Sequence, residues 1–235
     1  MAVVRNRSRR RAAAATVGAM IAVVLLPGIA QAAPVTPKQD RAMIRVSDLA
    51  NHYGHITRSY TEDLGKGRRP TACENPVDGR IATPKKAAKS ALLKEVAFPA
   101  NIVWQNTAFF YATPADARAA FDEMSGEAVK YCNMGKVINI GTDGDKVKAR
   151  VTYASTLMPS VKGVPRLAIA YDINLVSSAA PSAAYADSYD YSVYALSGKV
   201  ITRVGVGQVS PNAPIEKSDA ETTALAVAGR LAKLA

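Results

Sequence analysis

The clearest periodic stretch of the chain lies between residues 113 and 132. Ala117, Phe121, Met124, Ala128 and Tyr131 recur at spacings of four, three, four and three. Those spacings stack side chains on one face of an α-helix. Thr113-Pro114 opens the helix, with Pro in its first turn, and Asp116 sits where the helix dipole favours an acid. The helix stops by Gly135. Cys132 ends the stripe and therefore faces the core.

The rest of the chain carries a β-type pattern. Ile102-Val103-Trp104 and Ala108-Phe109-Phe110-Tyr111 are β-prone runs. Lys136–Ile140 and Lys146–Ala154 flank Gly141-Thr142-Asp143-Gly144-Asp145, a hairpin turn by composition. Leu167–Val176 is a further run. A small-residue loop over 177–188 precedes a hairpin of Tyr189–Leu196 and Lys199–Val209 across Ser197-Gly198. The chain closes with a helix. Ser218 and Glu221 form a capping box, Ala224, Val227, Ala228, Leu231 and Leu234 form its stripe, and Arg230 and Lys233 suit its last turns. Before residue 101 the pattern is weaker. Thr36-Pro37 resembles a short-helix start, and Ser47-Asp48 can cap a turn that stops at Gly54. Residues 61–90, rich in Gly, Pro, Lys and Arg, read as a long loop around Cys73. Lys85, Lys86, Lys89 and Lys94 read as a solvated basic run beside it. Consecutive hairpins require an antiparallel sheet, and amphipathic helices must pack on it. The expected class is α+β, with about five or six strands flanked by helices and one disulfide.

The first 32 residues stand apart. Residues 1–11 hold five arginines and no acid, residues 12–30 are uncharged and mostly Ala, Val, Ile and Leu, and Ala30-Gln31-Ala32 offers small residues to a signal peptidase. The expectation is cleavage between Ala32 and Ala33, leaving one secreted domain over 33–235. The competing reading is an uncleaved anchor, since no charge falls between Arg11 and Lys38. Pro27-Gly28 argues against it by breaking the helix. Ser8-Arg9-Arg10 hints at twin-arginine export without the bulky apolar residue that signal prefers.

Cleavage changes the charge picture. The whole chain carries thirty Lys and Arg against nineteen Asp and Glu. Removing the five leader arginines leaves 25 against 19, a net +6. That balance suits an anionic wall polymer or lipid headgroup, and also plain solubility. Cys73 and Cys132 are the two cysteines, and in an exported chain they are expected to pair. Closing so long a loop is worth roughly 4 kcal/mol by chain entropy.

An early loop cysteine (Cys73), a strand running into Tyr111–Phe121 (Tyr-Ala-Thr-Pro-Ala-Asp-Ala-Arg-Ala-Ala-Phe), a helix ending in Tyr131-Cys132, a Gly-Asp turn, a β meander and an Ala-rich last helix follow in order. This succession resembles the PknH-like extracellular sensor domain of actinobacteria, over about residues 40–235 and most specifically over 103–132. The resemblance implies an antiparallel sheet flanked by helices, a cleft for an extracellular ligand and no enzyme activity. Kinase-linked members carry two disulfides. This chain has cysteines for one, and it shows no kinase domain.

Few residues suggest chemistry directly. There is no Gly-x-Ser-x-Gly, Ser-x-x-Lys, Walker loop or His-Glu-x-x-His. His52 and His55 would need further ligands, for which Glu62 and Asp63 are nearest, and a surface turn explains them more simply. Asp143 and Asp145 suit Ca²⁺ or, more simply, a turn. Dispersed basic residues and no matching motif exclude nucleic acid as the expected partner. Tyrosine density is the unusual feature: Tyr185, Tyr189, Tyr191 and Tyr194 fall within ten residues. On a strand Tyr189 and Tyr191 share one face and Tyr194 the other, and some of these must be core. Tyr185, Tyr189 and Tyr191 are the candidate ligand-binding residues, because tyrosine offers rigid amphipathic area. The expectation is a secreted, monomeric, non-catalytic domain that binds a cell-envelope glycopolymer or amphiphile, with no metal, no cofactor and no membrane anchor after cleavage. A secreted hydrolase with an unrecognised site and a structural wall-associated protein are the alternatives.

Overall fold

The computed structural model describes residues 34–49, 54–74, 79–99, 101–139, 148–177, 188–209 and 217–234. Residues 1–33, with the expected cleavage point at Ala32 and Ala33, lie outside them, as do Tyr185, His52, Asp143 and Asp145.

The strands form one antiparallel sheet. They are β1 (Arg58–Gly65), β2 (Ser90–Phe98), β3 (Ile102–Phe110), β4 (Met134–Asn139), β5 (Lys148–Val161), β6 (Val164–Ser177), β7 (Ser188–Ser197) and β8 (Val200–Val209). Their spatial order is β1-β2-β3-β8-β7-β6-β5-β4. The helices are α1 (Pro37–Ala42), α2 (Pro114–Tyr131) and α3 (Lys217–Ala232), with a short 3-10 turn at Val46–Asp48. The α+β class stands, but among the described residues the sheet has eight strands rather than five or six.

The additional strands are β1 and β2. The first lies partly in the segment expected to be loop. It carries Arg58, Glu62 and Asp63 and is largely exposed, so it offers no apolar alternation to read. The second is buried on both faces along most of its length, and Lys94 within it reaches Asp40 at 2.8 Å. The β5–β6 hairpin also runs further than expected. Its two central residues, Lys162 (φ 50°) and Gly163 (φ 75°), both take the left-handed conformation that matches strand twist in a two-residue turn.

Alternation along each strand separates two faces and two cores. On face A, Trp104, Val193, Val204 and Val206 pack beneath Ala224, Val227 and Leu231 of α3, with Met43 and Ile44 following α1. On face B, Phe109, Leu167, Tyr194 and Ile201 pack beneath Ala117, Phe121, Met124 and Ala128 of α2. Local chemistry explains the helix starts. Thr113 caps α2 by accepting from the Asp116 N–H, and Thr36 caps α1 in a box with Gln39. In α3, Ser218 lies inside the helix, which already includes Lys217, so it does not occupy the capping position expected of it.

Cys73 and Cys132 are disulfide-bonded, with Cα atoms 6.0 Å apart and 59 residues between them in sequence. The bridge fastens the segment before β2 to the C-terminal end of α2. The Tyr194 hydroxyl adds a bond to the Thr71 carbonyl at 2.5 Å.

Candidate functional site

The second half of face B lies beyond the cover of α2. Strand register arranges it in rows across the sheet. One row reads Tyr60, Glu95, Gln105, Gly205 and Ser192 from β1 to β7. The next reads Arg58, Ala97, Val103, Gly207, Asp190, Tyr171 and Tyr153 from β1 to β5. Arg203 precedes the two glycines at two-residue spacing on β8, so all three share this face.

The glycines decide where Arg203 goes. A Cβ on Gly205 would stand 2.7 Å from Ser192 Oγ and 3.1 Å from an Arg203 guanidinium nitrogen. The guanidinium therefore lies along its own strand, over the space a side chain would fill. From there its Nε and one terminal nitrogen donate to Ser192 Oγ at 3.1 and 2.8 Å. The same terminal nitrogen reaches Asp190 at 3.3 Å, and the other reaches Gln105 Oε1 at 3.4 Å. Ser192 donates to Asp190 at 2.8 Å. Gln105 donates in turn to Glu95 at 3.1 Å, and Glu95 also pairs with Arg58 and accepts from the Tyr60 hydroxyl at 3.4 Å. A polar chain thus crosses five strands, from the β1 edge to β7. At its β7 end it stays wet: the Arg203 and Asp190 side chains are 24% and 34% exposed.

Aromatic area lies beside this chain. The Tyr171 and Tyr153 rings are 4.5 Å apart at 31°. Burial pushes both hydroxyls above the usual tyrosine range, and Tyr153 is raised further by the neighbouring Tyr171 and Asp190. Both rings remain partly exposed. Among the described residues, this half of face B therefore offers three things: a glycine floor, a fixed cationic donor with an acid beside it, and two phenol rings in tilted contact. The arrangement suits hydroxyl-rich or anionic groups with an apolar side.

The expected tyrosines divide as alternation requires, and their surroundings differ. Tyr191 is 6% exposed on face A, under α3, where its hydroxyl donates to Glu221 at 3.0 Å. Tyr189 shares that face and packs against its core, and burial raises its hydroxyl to about 12. Tyr194 is fully buried on face B. Tyrosine density drew attention to β7, whereas the rings that flank the open surface are Tyr153 and Tyr171, eighteen residues apart in sequence and joined only by β5–β6 register. The sequence signal for this surface is the Gly205-Val206-Gly207 repeat two residues beyond Arg203, since glycine inside a strand marks a close approach.

His55 lies in an exposed stretch, and Asp63 spends one oxygen on the Gly65 N–H at 2.8 Å. Among the described residues no group of three or more His, Cys, Asp and Glu is placed to hold a metal. Among the same residues no helix is long and apolar enough to cross a membrane.

No family model matches the chain, and no curated protein matches it. Its fold is similar to the crystal structure of the extracellular domain of PknH from Mycobacterium tuberculosis, with a TM-score of 0.50 at 12% identity, over 85% of this chain and 98% of that one. At that identity the similarity concerns fold alone. The expected likeness is therefore present in architecture, as a shared α+β plan.

Proposed function

We propose that the protein is a secreted, non-catalytic binding domain that takes an extracellular ligand on the open half of face B. The observation that carries this reading is the glycine floor beneath Arg203, flanked by Tyr171 and Tyr153. A donor held flat against a sheet and two partly exposed phenols match a ligand that is part hydroxylated and part apolar, such as a cell-envelope glycopolymer or amphiphile. The leader-like first 32 residues, the disulfide and a fold similar to an extracellular domain support an extracellular setting. Ser192 supports a binding role over hydrolysis. Its hydroxyl is spent between Asp190 and Arg203, it is 2% exposed, and no imidazole among the described residues is bonded to it. The domain acts as a monomer without cofactor or metal.

The test is retention of cell-wall and lipid extract components on the immobilised mature chain. Gly207→Ala should raise the floor while sparing the fold, since a Cβ there meets only Asp190 Oδ2 at 3.4 Å and the Tyr189 carbonyl at 3.9 Å. Tyr171→Ala should remove one aromatic wall. Each is expected to weaken retention about tenfold, the effect of losing one anchor, with the protein still folded by circular dichroism. Retention of nothing by the wild type, or equal retention by both variants, overturns the reading.

A further inference from the structure

On the other side of the sheet, α1 and the last turns of α3 frame a groove of about 350 Å³. Its walls are cationic, from Lys38, Arg41 and Arg45 on one side and Arg230 and Lys233 on the other, and its apolar lining is Ala42 and Leu234.

The cations are not equivalent. Arg230 is a structural tie. It donates to the Ala42 and Met43 carbonyls at 3.3 and 3.1 Å and grips both Asp48 oxygens at 3.0 and 2.5 Å. It thereby satisfies the end of α1 and consumes the nearest acid. Asp40, the next acid, is held by Lys94 and Thr61. Burial works against its charge, but those two hydrogen bonds, with the charges of Lys94 and the adjoining Arg41, keep its carboxyl below the usual range. Asp48 and Asp40 are therefore each already paired with a cation, Arg230 and Lys94. Among the described residues, Lys38, Arg41, Arg45 and Lys233 form no ion pair with any acid.

Two of these four are also held in place. Arg41 donates through Nε to the Pro37 carbonyl at 3.1 Å, and Arg45 donates through Nε to the Arg41 carbonyl at 2.7 Å. Each guanidinium is fixed by its inner nitrogen and keeps its two terminal nitrogens for a ligand. Ordering a long side chain in advance removes part of the entropy that binding otherwise costs. A planar fork of this kind matches phosphate oxygens bidentately.

We infer that this groove is a binding site for a phosphate-bearing anion, with Arg41 and Arg45 as the bidentate contacts and Lys38 and Lys233 as flanking charges. Its volume fits a diphosphate or a phospholipid headgroup, and the apolar strip of Ala42 and Leu234 accommodates the first carbons of either. The site lies on face A and is independent of the surface around Arg203.

The experiment uses the mature chain, inorganic pyrophosphate by calorimetry, and vesicles of phosphatidylglycerol mixed with phosphatidylcholine by cosedimentation. The key variant is Arg41→Gln with Arg45→Gln, which leaves Arg230 and Asp48 intact. The control is Lys136→Gln with Lys162→Gln, an equal loss of charge at exposed positions elsewhere. The expected result is that the arginine pair lowers affinity about tenfold or more for at least one probe, while the control pair changes it less than about twofold. Binding of pyrophosphate alone identifies a soluble phosphate ligand. Binding of both, with pyrophosphate displacing the vesicles, identifies a lipid headgroup. An equal loss in both double variants shows only diffuse attraction and overturns the site, as does absence of binding to both probes. A melting curve of the arginine variant matching the wild type establishes that any loss is not unfolding.

Discussion

Both faces of the sheet draw on the same central strands, yet they are closed by different means. Face A is covered by a helix that follows β8 directly in sequence. Its Ala224, Val227 and Leu231 lie over β7 and β8, and Arg230 binds the α1 segment against it. Face B is covered by α2 at one end only, and the cover is held by a disulfide to the segment before β2. Hydrophobic burial closes the first face from β2 across β3 and β8 to β7. The second is half core and half polar surface, with the covalent clasp where the apolar half ends. A helix that covers half a sheet loses part of the burial that would hold it, and a cross-link that limits the unfolded chain compensates.

The sharpest way to break this contrast is to remove the clasp. Replacing both Cys73 and Cys132 by Ser is expected to lower stability in urea unfolding by about 4 kcal/mol, the chain-entropy value for a loop of this length. Amide exchange should then quicken in α2 well before α3. Equal acceleration in both helices would falsify the idea that the faces are closed separately.

Next in size is Leu231→Ala, at a fully buried position of α3. The expected loss is about 3 kcal/mol from transfer and cavity together. It should open α3 to exchange and leave α2 protected, the mirror image of the first result.

The smallest effect sharpens the comparison within face B. Gly205→Ala must displace Ser192 Oγ or the Arg203 guanidinium, so a loss of about 1 kcal/mol is expected, as for disturbing a hydrogen-bonded group. Gly207→Ala meets ordinary contacts and should melt within about a degree of the wild type, as surface changes do. Paired thermal melts distinguish the two. Identical shifts would mean that Arg203 is not held over Gly205.

Where periodicity was strong, sequence and structure agree for a physical reason. The stripe of α2 from Ala117 to Ala128, its Thr113-Pro114 start and the core-facing Cys132 all follow from local rules that a short window contains, while Tyr131, expected in the same stripe, is only half-buried. The strands β1 and β2 escaped because one is polar and the other buried on both sides, so neither alternates. The open surface was harder still. It depends on which rows of the sheet α2 leaves uncovered, and on register that brings Gly207, Asp190, Tyr171 and Tyr153 into line from four strands. No sequence window holds both pieces of information. Tyrosine density on β7 was visible, but whether Tyr191 faces solvent depends on where α3 lands, and it lands on Tyr191.

An open sheet presents its outermost backbone groups to any other extended chain. Here β1 meets that hazard with the same polarity that hid it. Arg58, Glu62 and Asp63 line it, and its register shifts between Asp63 and Gly65 as it ends. Charge and irregularity make a poor template for a further strand. The strand least recognisable as a strand is thus a guard against aggregation, and its lack of apolar pattern is what that guard consists of.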